Sequence, residues 1–183
     1  MRQRQSALKP GDIAVALALV LRPGERYESL SRALGLSLSA AHRAVRRLEA
    51  AGLLLPTDRH PNKSALLEFL VHGVRYAFPA QLGAEVRGVP TAGGLPEFRG
   101  EMPAGSGAVW PSVDGTVRGP SIVPLYEGAA AAALADARLH RLLALVDALR
   151  IGQARERRIA ERLLRADLGI ACQDQPVPSL AAR

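Results

Sequence analysis

Gly35 is the residue that most constrains what this chain can fold into. It follows Leu30 and Leu34, the apolar pair of a short helical run from Tyr27, and it precedes Ser37 by two residues. Glycine takes the left-handed backbone conformation that ends a helix at no steric cost. A serine just after it supplies a hydroxyl acceptor for an orphan amide of a second helix. The spacing therefore predicts a helix ending at Leu34, a tight turn, and a second helix over residues 37 to 51. In that second helix Ala41, Val45, Leu48 and Gly52 fall on one face, and Ser39, Arg43 and Arg46 fall on the opposite one, with His42 and Arg47 beside them.

One face packs and the other is offered to a partner. A helix held at about 90 to 120° to its predecessor by a short turn is the device that enters the major groove of DNA. Ser39, Ala40, His42, Arg43 and Arg46 are expected nearest the bases, with Ser37 and Arg47 at the margin, and double-stranded DNA is the expected partner. Charge points the same way. Residues 1 to 63 carry eleven Lys or Arg against five Asp or Glu, a local balance of +6, whereas residues 64 to 127 carry −2 and residues 128 to 183 carry +3. A basic excess on the recognition unit is the electrostatic footprint of phosphate contacts.

The run Leu34-Gly-Leu-Ser-Leu-Ser-Ala-Ala-His-Arg-Ala-Val-Arg-Arg-Leu-Glu-Ala-Ala-Gly-Leu-Leu-Leu resembles the helix-turn-helix of prokaryotic winged-helix transcriptional regulators, the MarR-like ones in particular. The resemblance covers about the first third of the chain. It implies that Leu53 to Pro56 forms the first strand of a β-wing. The sequence departs from the pattern after that point: residues 56 to 64 contain two prolines and no alternating apolar run for a return strand. A full wing is not expected, and Arg59, His60 and Lys63 are expected on a truncated loop beside the phosphates. The same motif also occurs in protein-interaction modules, and an arginine-rich face is often only solvated. A protein-interaction winged helix, or an antitoxin-type partner of another protein, is therefore the alternative.

The rest of the sequence narrows the function by exclusion. His42, His60, His72 and His140 are scattered, without metal-ligand spacing, and phosphate-binding or nucleophile-elbow glycine motifs do not occur. Asp136 and His140 stand at i, i+4, a spacing read as an exposed helical pair. No catalytic, cofactor or metal residue is assigned, and an enzyme is not expected. The single cysteine, Cys172, excludes an internal disulfide and favours a reducing, cytoplasmic setting. The apolar run Ile13 to Leu21 falls well short of the ~20 residues that cross a bilayer, and the polar start precedes no small-residue cleavage site. That run reads as the first core helix, opened near Asp12 and closed before Pro23-Gly24.

The expected class is mainly α with short β elements, in four parts. Residues 1–73 form the winged helix-turn-helix domain, ending in a helix from Asn62 to His72 stopped by Gly73. Residues 74–127 are dense in Pro and Gly and are expected to form loops and short strands that wrap against the helices. Within them Gly73-Val-Arg-Tyr-Ala-Phe-Pro and Val109-Trp-Pro resemble segments that precede a helical end in bacterial winged-helix proteins. Arg87, Thr91, Trp110 and Arg118 have two readings, as the lining of a pocket for an anionic effector or, preferred, as loop anchors. Residues 128–170 are helical: Ala129 to Ala135, Arg138 to Ile151 and Gln153 to Leu168, with Gly152 between the last two. Leu139, Leu142, Leu143, Val146 and Leu149 form a stripe expected either to complete the core or, preferred, to join two copies as a homodimer. The cluster from Arg155 to Arg165 reads as a solvated, ion-paired face, and residues 171–183 as a frayed tail.

Overall fold

The computed structural model describes residues 7–56 and 58–170. The expectations for Cys172, for the tail and for the polar start lie outside the described residues. Helix α1 (Pro10–Leu21) is buried on every side: each residue from Ile13 to Leu19 is fully enclosed. Such a helix is a core element rather than an amphipathic surface one. Helices α2 (Tyr27–Leu34) and α3 (Leu38–Ala50) pack on it and on each other. Leu30 and Leu34 from α2 and Ala44, Val45 and Leu48 from α3 enter the core.

After α3 the chain makes only a vestige of a wing. Leu54 bridges Pro61 in antiparallel fashion, the Leu55 amide donates to the His60 carbonyl at 2.8 Å, and the Asn62 amide donates to the Leu53 carbonyl at 3.0 Å. Asn62 then caps α4 (Lys63–His72), its side chain accepting from the Ala65 amide. Gly73 ends α4, but a further helical turn follows as α5 (Val74–Ala77), where the sequence suggested loop or strand.

The middle segment is a small three-stranded barrel. Strand β1 (Leu82–Ala92) serves two partners. Its first half pairs antiparallel with β3 (Val117–Ile122), its second half pairs antiparallel with β2 (Gly107–Pro111), and a parallel bridge from Val109 to Ser121 closes the ring. Gly88 is the corner, opposite both Pro111 and Val117. A Cβ there would collide with the Trp110 carbonyl, so the bend needs glycine. Between β1 and β2 a single 3₁₀ turn (Pro96–Phe98) seats Phe98 in the core.

Helices α6 (Ala129–Ala135), α7 (Ala137–Ile151) and α8 (Ala154–Asp167) complete the fold. Asp136 caps α7 through the Arg138 and Leu139 amides and also receives a hydrogen bond from Arg22 at 2.9 Å. It does not pair with the His140 ring, which instead meets the Pro90 carbonyl at 2.6 Å. Gly152 is a true break, extended at the end of α7.

Helix α7 lies against β1, α8, α6, α1 and α5, and every residue from Leu142 to Arg150 is buried. The apolar stripe on which a dimer was expected is therefore enclosed within one chain. Residues of the N-terminal helices, the barrel and the C-terminal helices all belong to one hydrophobic core. Between α7 and the barrel that core holds a buried polar network. Asp147 accepts from Trp110 Nε1 at 2.7 Å, from Thr91 Oγ1 at 2.9 Å and from Arg150 at 2.6 Å, and Arg150 also donates to the Phe78 and Val123 carbonyls. Burial pushes the Asp147 carboxyl above its ordinary value, opposed by Arg150 and the neutral donors.

Candidate nucleic-acid interface

The turn that presents α3 is built as its residues dictate. Gly35 adopts φ 63°, the left-handed conformation, and the Leu36 amide reaches back to the Ser31 carbonyl at 2.9 Å. The Ser31 hydroxyl donates to the Leu36 carbonyl at 2.7 Å, tying the turn a second time. Ser37 is the N-cap of α3, its Oγ accepting from the Ala40 amide at 3.2 Å and lying 3.2 Å from Ser39 Oγ.

The outer face of α3 carries Ser39, His42, Arg43 and Arg46, all exposed, with Ala40 half-buried beside them. Neither Arg43 nor Arg46 has a hydrogen-bond or ion-pair partner among the described residues. His42 is fixed: its ring stacks on Tyr27 with centroids 3.6 Å apart and planes inclined at 21°.

Two other residues expected to face the partner are held elsewhere, and a third, exposed on the wing loop, makes only a local contact. Arg47 turns inward and grips Asp12 with both arms of its fork, Nε to Oδ2 at 2.7 Å and Nη2 to Oδ1 at 2.5 Å. The Asp12 side chain is 2% exposed and that of Arg47 13%. Hydrogen bonding to Asp12, against desolvation by burial, raises the Arg47 pKa above its ordinary value. This pair fixes α3 to α1 and leaves the Arg47 charge spent inside the protein. Arg59, at φ 55°, folds back to donate to the Glu25 and Gly24 carbonyls and covers the Tyr27 ring at 4.9 Å. It thereby anchors the wing loop to the α1–α2 turn. His60 Nδ1 lies 2.9 Å from Asp58 Oδ2, a local contact. Lys63 is exposed at the start of α4.

The residues singled out in the barrel do not converge on a pocket. Thr91 and Trp110 are buried on Asp147, and Arg87 donates to the Gly115 carbonyl at 2.6 Å as a loop anchor. Arg118 sits opposite Arg87 on the barrel surface. Asp12 opens α1 as its place in the sequence suggests, accepting the Lys9 amide, but its pairing with Arg47 and the Asp147–Arg150 pair are not in the sequence reading; a carboxylate inside an apolar helix, with an arginine at i+3 in the second case, is the available sign. Among the described residues no group of three His, Cys, Asp or Glu side chains is placed to hold a metal, and no helix is long and apolar enough to cross a membrane.

This geometry agrees with the comparison of the chain to protein families. Residues 18–54 match the model of a family described as winged helix-turn-helix DNA-binding, a stretch that contains α2, α3 and the turn between them. The N-terminal helices thus match a DNA-binding domain of that class, and the match supports a DNA-binding regulator in general terms. Neither the curated proteins nor the solved structures gave a match.

Proposed function

We propose that the chain is a sequence-specific transcriptional regulator, related to the MarR-like group, that reads double-stranded DNA with α3 in the major groove. The observation that carries this reading is the exposed couple Arg43 and Arg46, unpaired among the described residues, on a helix whose other face is locked into the core. A guanidinium matches the O6 and N7 acceptors of guanine, so one of these two makes the leading base contact. Ser37, Ser39 and Ala40 lie where the helix start meets the groove wall, and Lys63 supplies a phosphate contact from the start of α4. Arg47 and Arg59 act through positioning: the first holds α3 and the second holds the short wing. The site of action is the cytoplasm, and two copies act on a two-fold operator through a surface other than the buried α7 stripe.

Fluorescence anisotropy with duplexes of the upstream region and a scrambled control tests the reading. With one of Arg43 and Arg46 on a base edge, the other and Lys63 neutralise about two phosphates per half-site, so log affinity should fall against log salt with a slope of about −2 per copy. Arg43→Ala should cost about 1 to 3 kcal/mol on the specific duplex and less on the scrambled one. Equal, weak binding of both duplexes would overturn specificity, and no binding of either would move the motif to a protein partner.

A further inference from the structure

The far end of α4 carries a second concentration of charge that the DNA reading does not use. There the end of α4, α5 and the start of α8 enclose an open cavity of about 400 Å³. His72, Arg75 and Tyr76 line one side and Arg157, Arg158 and Glu161 the other. Among the described residues none of the three arginines has a carboxylate at ion-pair distance, whereas their neighbours do: Arg162 pairs with Glu101, Arg165 with Glu161, and Arg141 with Asp167 and Glu97. Arg157 gives one donor to the Gly152 carbonyl at 2.7 Å and keeps the rest of its fork. Three arginines thus line one cavity with a single carboxylate, Glu161, which is itself shared with Arg165. An anion seated among them would balance that excess of positive charge. At the rim Tyr76 is 77% exposed, and the Arg75 guanidinium lies 5.6 Å from its ring centre.

We propose that this cavity binds a nucleoside phosphate, with the phosphate among Arg75, Arg157 and Arg158 and the base against Tyr76. Guanidinium forks match phosphate oxygens in pairs, and a dianion balances the cavity better than one carboxylate would. An arginine-backed tyrosine ring is a stacking surface for a flat heterocycle. The volume is that of a small-molecule site, and the cavity is concave rather than a face along which a duplex runs. It is also remote from the wing: the ten residues of α4 span roughly 15 Å between Lys63 and His72.

Isothermal titration calorimetry of the full chain with the four ribonucleoside 5′-monophosphates and with inorganic phosphate tests the proposal. At least one nucleotide should bind at one per chain, and Arg75→Ala and Arg158→Ala should each weaken it about tenfold. Tyr76→Ala should weaken the nucleotide and leave inorganic phosphate unchanged. Arg158 and Tyr76 are exposed, so circular dichroism of their variants should match the parent. Failure of every nucleotide to saturate below about 10 mM overturns the proposal. So does inorganic phosphate binding as tightly as any nucleotide, or binding that survives all three substitutions. If Arg75→Ala and Arg158→Ala instead weaken the operator duplex while nucleotide heats are absent, the face belongs to the DNA interface and the cavity assignment falls while the DNA reading stands.

Discussion

Replacing Arg47 by alanine separates a positioning arginine from a DNA-contacting one. In the parent, Asp12 Oδ1 and Oδ2 each receive a donor from Arg47, and Oδ2 also accepts the Lys9 amide at 2.8 Å. Arg47→Ala leaves Oδ1 without a donor in a side chain that is 2% exposed. Removing one partner of a buried pair costs about 3 to 5 kcal/mol because the other charge stays behind. The surviving Lys9 amide keeps the loss near the lower bound, about 3 kcal/mol. For a chain of this length that is a fall of about 6 to 12 °C in Tm. Urea and thermal unfolding followed by circular dichroism measure it. The Asp12→Ala/Arg47→Ala double variant should fall short of the sum of the singles by about 2 kcal/mol, since the stranded carboxylate is gone. Asp12 faces the core, so if the pair acts by holding α3, Asp12→Ala and Arg47→Ala should weaken the operator to a similar extent. An Arg47→Ala protein of unchanged Tm that loses affinity about tenfold and shows a shallower salt slope, with Asp12→Ala silent, would refute the reasoning.

Two further substitutions address the barrel. Asp147 has a raised carboxyl, so between the ordinary carboxylate value near ~4 and its own higher value the native state holds a proton the unfolded chain has already lost. Its contribution to stability is therefore greatest at low pH and declines as pH rises through that window. The Tm difference between the parent and Asp147→Asn should shrink in the parent's disfavour from about pH 4 upward, and a widening advantage for the parent would mean that the Arg150 pairing dominates. Gly88→Ala should destabilise by about 3 kcal/mol, the upper range for overpacking, because the added methyl meets the Trp110 backbone. A urea midpoint equal to the parent's would show that β1 does not need its bend.

The parts of the fold readable in the sequence are those fixed by nearby residues. Gly35 with Ser37, Asn62 with Gly73, and Gly152 between two apolar runs each carry their own cap or break, and the elements they bound are present. The barrel was legible only as short strands, because β1 contains Gly83, Gly88 and Pro90 and changes partner midway. Arg47 lay at the edge of the outer face by helical period alone. Its inward turn is decided by Asp12, thirty-five positions earlier in the chain. Arg59 was read from its charge, whereas its positive φ and the free carbonyls of Gly24 and Glu25 decide where it points. The apolar stripe of α7 could serve one copy or two, and the choice depended on β1, α1 and α8 already occupying its sides.

The all-round burial of α1 has a thermodynamic corollary. A helix that touches both α3 and α7 makes the helix-turn-helix unit share its cooperative unfolding with the C-terminal helices. The N-terminal third is then not a portable module: cut away from α7, it would leave the α1 side chains facing water. Any molecule that binds the folded chain, at the proposed α3 face or at the proposed α5–α8 site, draws on the same native population and raises the melting temperature by mass action. Thermal shift is thus a readout common to both surfaces, and the saturation of each can be followed without labelling either.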